Sequence, residues 1–357
     1  MSYITLDAGK IIQNYRKIES VTANLGKKFL FVSKGISGSA KYDFLKILHS
    51  RCGLTRCGET AAAQLQFIPK CISPYLLRFL PKDCLFFLNS TGTLCISNKA
   101  QSDIISQFNS VPDLKLVVEV GDLRDGINQA ELIPFISSLP KQQKIKVSGL
   151  LFNFGCLYGT APRCSDIDLI DKLISRVRRE TGITLEENSI GGTIAIDTVL
   201  KCGLPDSIAE LRIGEAVLLG ESISLRQRYE FLYQETAKLH VEVLEVREKR
   251  ITEPPPYFNS CGVMPRKGPM GLRKLAVLGA GALISPEKGI QPTYPGEYLL
   301  GSSHDHMVVD ITDSNYSYSS GDYFSFALNY TGLAHATVYP GIPIQYDEEN
   351  RIGDYED

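Results

Sequence analysis

The residues that close the apolar runs of this chain are those whose chemistry stands out. The run Phe29-Leu-Phe-Val-Ser ends in Lys34, followed by Gly35. A lysine held at a buried strand end has a lowered pKa, and its free amine can form a Schiff base with a carbonyl compound. The same lysine in a solvated loop is an ordinary surface charge. Ser189-Ile-Gly191-Gly192-Thr193 closes a later run. Adjacent glycines followed by a threonine leave backbone N–H groups open to cradle a phosphate, although a plain glycine turn reads the same way. In Leu211-Arg212-Ile213-Gly214-Glu215 a guanidinium follows an apolar strand. There it presents fixed donors to a ring nitrogen, or forms a structural ion pair at a rim. Gly121-Asp-Leu-Arg124-Asp-Gly126 sets another guanidinium just past a strand end, suited to a bidentate grip on a carboxylate.

These groups need a frame that brings them together. From about Phe29 to Gly220, short uninterrupted apolar runs alternate with amphipathic stretches. The pattern predicts strands at Phe29–Val32, Leu54–Thr55, Tyr75–Leu80, Leu85–Asn89, Leu114–Val120, Ile145–Asn153, Glu187–Ile190 and Ala209–Ile213. Helices are expected at Ala40–His49, Thr60–Phe67, Ala130–Leu139 and Asp166–Glu180. About eight strand–helix units of this kind imply a parallel sheet covered on both sides, and fit a closed α/β barrel, (β/α)8 and TIM-like, better than an open sheet. In such a barrel the groups at the carboxyl ends of the strands share one face. After Gly220 the texture changes to short strands between Gly, Pro, Asp and Ser turns, among them Leu239–Val246, Leu275–Leu278, Met307–Ile311 and Tyr323–Leu328. A smaller antiparallel β domain is expected there. The domain reading is a barrel over 8–234 and a β domain formed by 1–7 plus 235–357.

Composition narrows the class. A chain of 357 residues, 43% apolar and 22% charged, is an ordinary globular protein with a full core. A net charge of −2 gives no basic face for nucleic acid or an anionic membrane. No signal peptide and no spanning segment is read. The nine cysteines form an odd set without paired metal spacing, most beside apolar residues. They are expected as buried thiols in a reducing cytoplasm, with no bound metal.

The order of these segments resembles the fold-type III pyridoxal 5′-phosphate enzymes, most closely the alanine/ornithine racemase-like group, over nearly the whole chain. Val32-Ser-Lys34-Gly resembles the strand that carries the Schiff-base lysine, and Gly121-x-x-Arg124-x-Gly the segment that meets the substrate carboxylate. Leu211-Arg-Ile-Gly-Glu-Ala-Val-Leu-Leu-Gly220 is the most specific match. The resemblance implies a pyridoxal-phosphate cofactor on Lys34, with Arg212 facing the pyridine nitrogen and Asn153, Gly191, Gly192, Thr193, Gly214, Glu215 and Tyr339 around the cofactor. It places Arg124, Asp305 and Tyr330 on the substrate. It implies a homodimer with shared sites, in which the loop Ser302-Ser-His304-Asp305-His306 enters the partner subunit. Racemisation of an amino acid then needs an acid/base on each face, one of them Lys34.

Two departures from the family pattern bear on that activity. Leu275-Ala-Val-Leu-Gly279-Ala-Gly-Ala282 has no tyrosine where alanine racemases have one, and Thr193 is followed by Ile194 and Ala195 where the group tends to have serines. Cys156, His304, His306 and Tyr330 are the candidates for the second acid/base. An inert thiol and a plain polar hairpin are the alternatives. A decarboxylase of the same fold, kept open by Glu215, and a non-catalytic cofactor-binding protein are the other functional readings.

Overall fold

The computed structural model describes residues 1–37, 52–54, 75–76, 92–108, 111–139, 145–158, 160–222, 224–252 and 270–347. Among them eight parallel strands close into a barrel: β2 Lys28–Val32, β3 Cys52–Leu54, β4 Tyr75–Leu76, β5 Thr93–Ile96, β6 Asp113–Val118, β7 Val147–Asn153, β8 Asn188–Gly191 and β9 Ile208–Ile213. Closure comes from β9 pairing with β2, Arg212 opposite Leu30. Helices α2 Lys99–Ile105, α3 Leu132–Ser138, α4 Cys164–Thr181, α5 Ile196–Cys202 and α6 Glu215–Leu219 follow β5 to β9 in turn. The helices expected at Ala40–His49 and Thr60–Phe67, and the strand expected at Leu85–Asn89, lie outside the described residues. The strand β5 at Thr93–Ile96 was not anticipated, because its four apolar-to-neutral residues are too few to stand out from the turn before them.

Strand alternation explains the two faces of the barrel. On β6, Leu114, Leu116 and Val118 pack into the large outer core. Val117 instead joins Leu30, Cys95 and Leu151 in a separate buried cluster inside the barrel. Helix α4 shows why the sequence reads so clearly as a helix. Ile167, Ile170, Leu173, Ile174 and Val177 recur at helical spacing and are buried. Asp166 accepts from the Arg163 backbone N–H at 2.7 Å to cap its start. Gly182, at φ 74°, ends it by donating its N–H to Arg178 O at 2.9 Å.

Strand β1 Tyr3–Leu6 and helix α1 Ala8–Asn24 precede the barrel; Asp7 accepts from the Lys10 N–H and caps α1. Beyond the barrel, a small hairpin joins β10 Glu221–Ser222 to β11 Gln227–Arg228. The long strand β12 Ala237–Ile251 pairs with β1, with β13 Gly271–Leu278 and with β17 Tyr323–Leu328. Strands β14 Ile290–Pro292, β15 Tyr298–Ser302 and β16 Met307–Asp310 complete the second sheet with β18 Ile344–Tyr346. That sheet is antiparallel except where β18 lies parallel to β1, a correction to the all-antiparallel expectation. A short helix, α7 Tyr330–Ala336, follows β17.

The cysteine expectation holds for Cys95, which is buried, and fails at three others. Cys156 is exposed, and Cys164 is joined to Cys202 as a disulfide between the start of α4 and the end of α5, Cα atoms 5.9 Å apart. Thirty-eight residues separate them in the chain, so only the packing of one helix end on the other brings them together. Among the described residues no helix is long and apolar enough to cross a membrane.

Candidate active site

A cavity of about 480 Å³ opens at the carboxyl ends of β2, β6, β7, β8 and β9. That size suits a small-molecule site. The structure brings Lys34, Arg124, Asn153, Cys156, Gly191, Gly192, Thr193, Arg212, Gly214, Glu215 and Tyr330 to its wall. Val117, Leu151 and Arg212, from the barrel interior, also line it.

Arg212 is 2% exposed and fully engaged on one side. Its Nη1 donates to Ser189 Oγ at 2.7 Å and its Nη2 to Phe152 O at 2.8 Å. Ser189 Oγ in turn donates a hydrogen bond to Glu210 Oε1 at 2.7 Å, and Glu210 pairs with Lys115 Nζ at 3.3 Å. Lys115 is completely buried and also lies 3.6 Å from Glu187. Two buried cations, Arg212 on β9 and Lys115 on β6, therefore alternate with the carboxylates of Glu210 and Glu187, which is how charge persists in a low-dielectric interior. Gly191 is needed for this arrangement, since a Cβ there would run into the Arg212 guanidinium. The glycine cradle thus has a stated cause: it makes room for a guanidinium at the cavity wall.

Lys34 sits on the 3₁₀ turn Ser33–Gly35 directly after β2, with an exposed side chain. Its Nζ is 5.9 Å from the centre of the Tyr330 ring, at the outer reach of a cation–π contact. A Cβ at Gly35 would stand 2.5 Å from Tyr330 Cε2, so the glycine lets the ring close over the backbone beside Lys34.

Asp122 organises the β6–β7 end. It is 4% exposed, accepts from Asn153 Nδ2 at 3.1 Å and from the Leu157 N–H at 2.9 Å, and lies 3.8 Å from Arg124 Nε. Arg124 donates from Nε to Asp125 Oδ1 at 2.6 Å. Burial works against its charge, but Asp125, Cys156 and Asp122 around it hold its pKa above the usual arginine value. Arg124 stays a cation.

At the β8–β9 end, Thr193 opens a 3₁₀ turn whose leading N–H groups have no partner within the turn. Its Oγ1 accepts from the Ala216 N–H at 3.1 Å, and its carbonyl accepts from Tyr229 OH at 3.1 Å. Burial first, then the charges of Asp197 and Glu215, push the Tyr229 phenol up, so it remains a donor.

Four anticipated residues lie elsewhere. His304, Asp305 and His306 are exposed in the turn between β15 and β16, packed on the 279–285 loop through Leu283 N–H to His304 O, and none lines this cavity. Tyr339, expected beside the cofactor, is 37% exposed and off the cavity, while Tyr330 lines it. Asp122, Asp125 and Ser222 were missed. Asp122 and Asp125 flank Arg124 in the chain and had a signal; Ser222 had none.

No protein-family model matches the chain. It is 26% identical over 346 residues to ornithine racemase of Acetoanaerobium sticklandii, covering 92% of this chain and 95% of that protein. It is 25% identical over 355 residues to lysine racemase of Thermotoga maritima, covering 96% and 98%. Among solved structures it resembles alanine racemase from Bartonella henselae with covalently bound pyridoxal phosphate, with a TM-score of 0.69 at 16% identity over 97% of this chain and 99% of that one. It also resembles alanine racemase from Corynebacterium glutamicum, with a TM-score of 0.72 at 14% identity over 97% and 99%. The fold is therefore an α/β barrel followed by a β domain, as in the alanine racemases, and the chain is similar almost end to end to two amino-acid racemases.

Proposed function

We propose that this protein is a pyridoxal-phosphate-dependent amino-acid racemase, an isomerase that interconverts L- and D-amino acids. The observation that carries the reading is the convergence of Lys34, Arg212, Arg124 and the Gly191-Gly192-Thr193 turn on one cavity of suitable size. The donor set fits the group: an amine for covalent attachment, a wired guanidinium for the ring nitrogen, and a glycine turn for the phosphate. When bound, pyridoxal phosphate draws electrons from the Cα of an attached amino acid and eases loss of its α-proton.

The side chains supply the rest. Lys34 Nζ would hold the cofactor, and its amine would serve as the acid/base on one face of the substrate. Arg212 sets a permanent positive charge at the ring nitrogen and disfavours its protonation, since two adjacent cations are costly. That limits electron withdrawal and favours prompt return of the proton. Tyr330 packs beside Lys34 and takes the place first given to Tyr339. Arg124, kept cationic, holds the substrate carboxylate. On the second face stand Cys156 of the same chain, or His304 and His306, with Asp305 as orienter, from a second copy of the chain in a homodimer. Asp125 and Glu215 line the cavity and supply negative charge for a basic side chain, consistent with ornithine and lysine as substrates of the two relatives.

The full (β/α)8 alternation, the division at 8–234 and 1–7 plus 235–357, and a cytoplasmic setting belong to the same reading. The first is supported by strand closure, and the second by the pairing of β1 with β12. Proton NMR in deuterium oxide, with pyridoxal phosphate and L-ornithine, L-lysine and L-alanine in turn, tests the function. Loss of the α-proton signal with appearance of the D-enantiomer is expected. Release of carbon dioxide would move the assignment to a decarboxylase, and cofactor binding without exchange to a non-catalytic protein.

A further inference from the structure

Ser222 is a buried hydroxyl that the fold leaves idle. It lies on β10, three residues beyond the end of α6. It is 1% exposed and lines the cavity, yet among the described residues its Oγ has no hydrogen-bond partner. A hydroxyl taken out of water without a partner opposes folding, so native proteins rarely keep one unless something else satisfies it. The surroundings indicate what that is. Ser222 shares the cavity wall with Thr193, Ile194 and Gly214, the β8–β9 end where the glycine turn opens. Of the cavity's cations, Lys34 and Arg124 come from the ends of β2 and β6, while Arg212, on β9 against Gly191, already gives Nη1 to Ser189 and Nη2 to Phe152. In the turn itself, Ile194 and Ala195 have no side-chain donor. With both Arg212 Nη atoms engaged, an anion held at this end draws on neutral donors as well.

We propose that Ser222 Oγ donates a hydrogen bond to the cofactor phosphate and replaces the serine donors absent at Ile194 and Ala195. This rests on the pyridoxal-phosphate reading above. A hydrogen bond to a charged acceptor is among the stronger ones, and it would convert an opposed buried group into a satisfied one on binding.

The test compares pyridoxal phosphate with pyridoxal, which lacks the phosphate, on apoprotein of wild type, Ser222→Ala and Ser222→Thr. Affinity is followed by absorbance titration, and thermal unfolding is recorded with and without ligand. Ser222→Ala should weaken pyridoxal phosphate roughly tenfold or more while leaving pyridoxal within about twofold. Its apoprotein should melt no lower than wild type, because the substitution removes an unsatisfied group, and its stabilisation by pyridoxal phosphate should shrink. Ser222→Thr should restore the preference for the phosphate. Equal affinity of wild type and Ser222→Ala for pyridoxal phosphate overturns the proposal, as does an equal loss for both ligands. An apoprotein of Ser222→Ala that fails to fold overturns it too, since the hydroxyl would then have a structural partner. Wild type that binds neither ligand, and is not labelled at Lys34 on reduction, sinks the cofactor reading itself.

Discussion

Arg212 and Ser222 are polar side chains of one cavity, 2% and 1% exposed, and the fold treats them in opposite ways. Arg212 is tied to Ser189 and Phe152, with Glu210 and Lys115 behind. Among the described residues the Ser222 hydroxyl has no partner. The difference follows from the cost of each group alone. A guanidinium cannot shed its charge, so burial without partners would cost several kcal/mol or more. An unpaired neutral hydroxyl costs only about 1–3 kcal/mol. A permanently charged group must be positioned before the ligand arrives, whereas a hydroxyl can wait for it. The barrel fixes Arg212 in advance, and the proposal for Ser222 leaves its hydroxyl to be satisfied on binding.

The strongest way to break this comparison is to remove the anchor common to both ends. Lys34→Ala should abolish covalent labelling when the protein is reduced with borohydride in the presence of pyridoxal phosphate, read by intact mass. Persistent labelling would place the attachment on another lysine. Next in size is the buried column. Glu210→Gln leaves Lys115 short of a counter-charge and should cost about 3–5 kcal/mol of stability, measured by urea unfolding. A change under 1 kcal/mol would show that Arg212 is held without that column. Arg124→Ala probes a third position, one that should serve the substrate alone. It should raise the KM for the amino acid by roughly tenfold to a hundredfold with the cofactor affinity unchanged; loss of the cofactor would shift Arg124 to the cofactor side.

The smallest effect is a control remote from both ends. His240 accepts or donates to Thr5 and Ser325 and stacks on Tyr3, and burial first, then Lys238, lowers its pKa against an opposing Asp347. The unfolded chain therefore takes up the proton at a higher pH than the folded one. The stability this group contributes is complete above the unfolded value of about 6.5 and falls as pH drops from there through the folded pKa. His240→Asn should flatten the decline in melting temperature between about pH 7.5 and 5.5 by about a degree, and leave cofactor binding untouched. A steeper decline would reverse the sign of the argument.

Much of the site was legible because parallel barrel strands, buried on both faces, read as continuous apolar runs, and the residue closing each run marks a strand end. Lys34, Thr193 and Arg212 were found that way. Lys115 was not, because a lysine inside Leu114-Lys-Leu-Val-Val looks like an interruption; its partner Glu210 lies 95 residues away in the chain. Tyr330 and Tyr339 could not be told apart by position in sequence, since what separates them is which one α7 turns towards Lys34.

The sequence by itself determined the alternation of elements, the change of texture after Gly220 and the residue types available at the strand ends, because these depend on local periodicity and turn chemistry. Tertiary structure alone decided which of those residues share a cavity. It also paired Cys164 with Cys202, placed Lys115 inside the barrel and left Ser222 unpartnered among the described residues. Each of these depends on where distant segments meet, and barrel closure, not local pattern, fixes that.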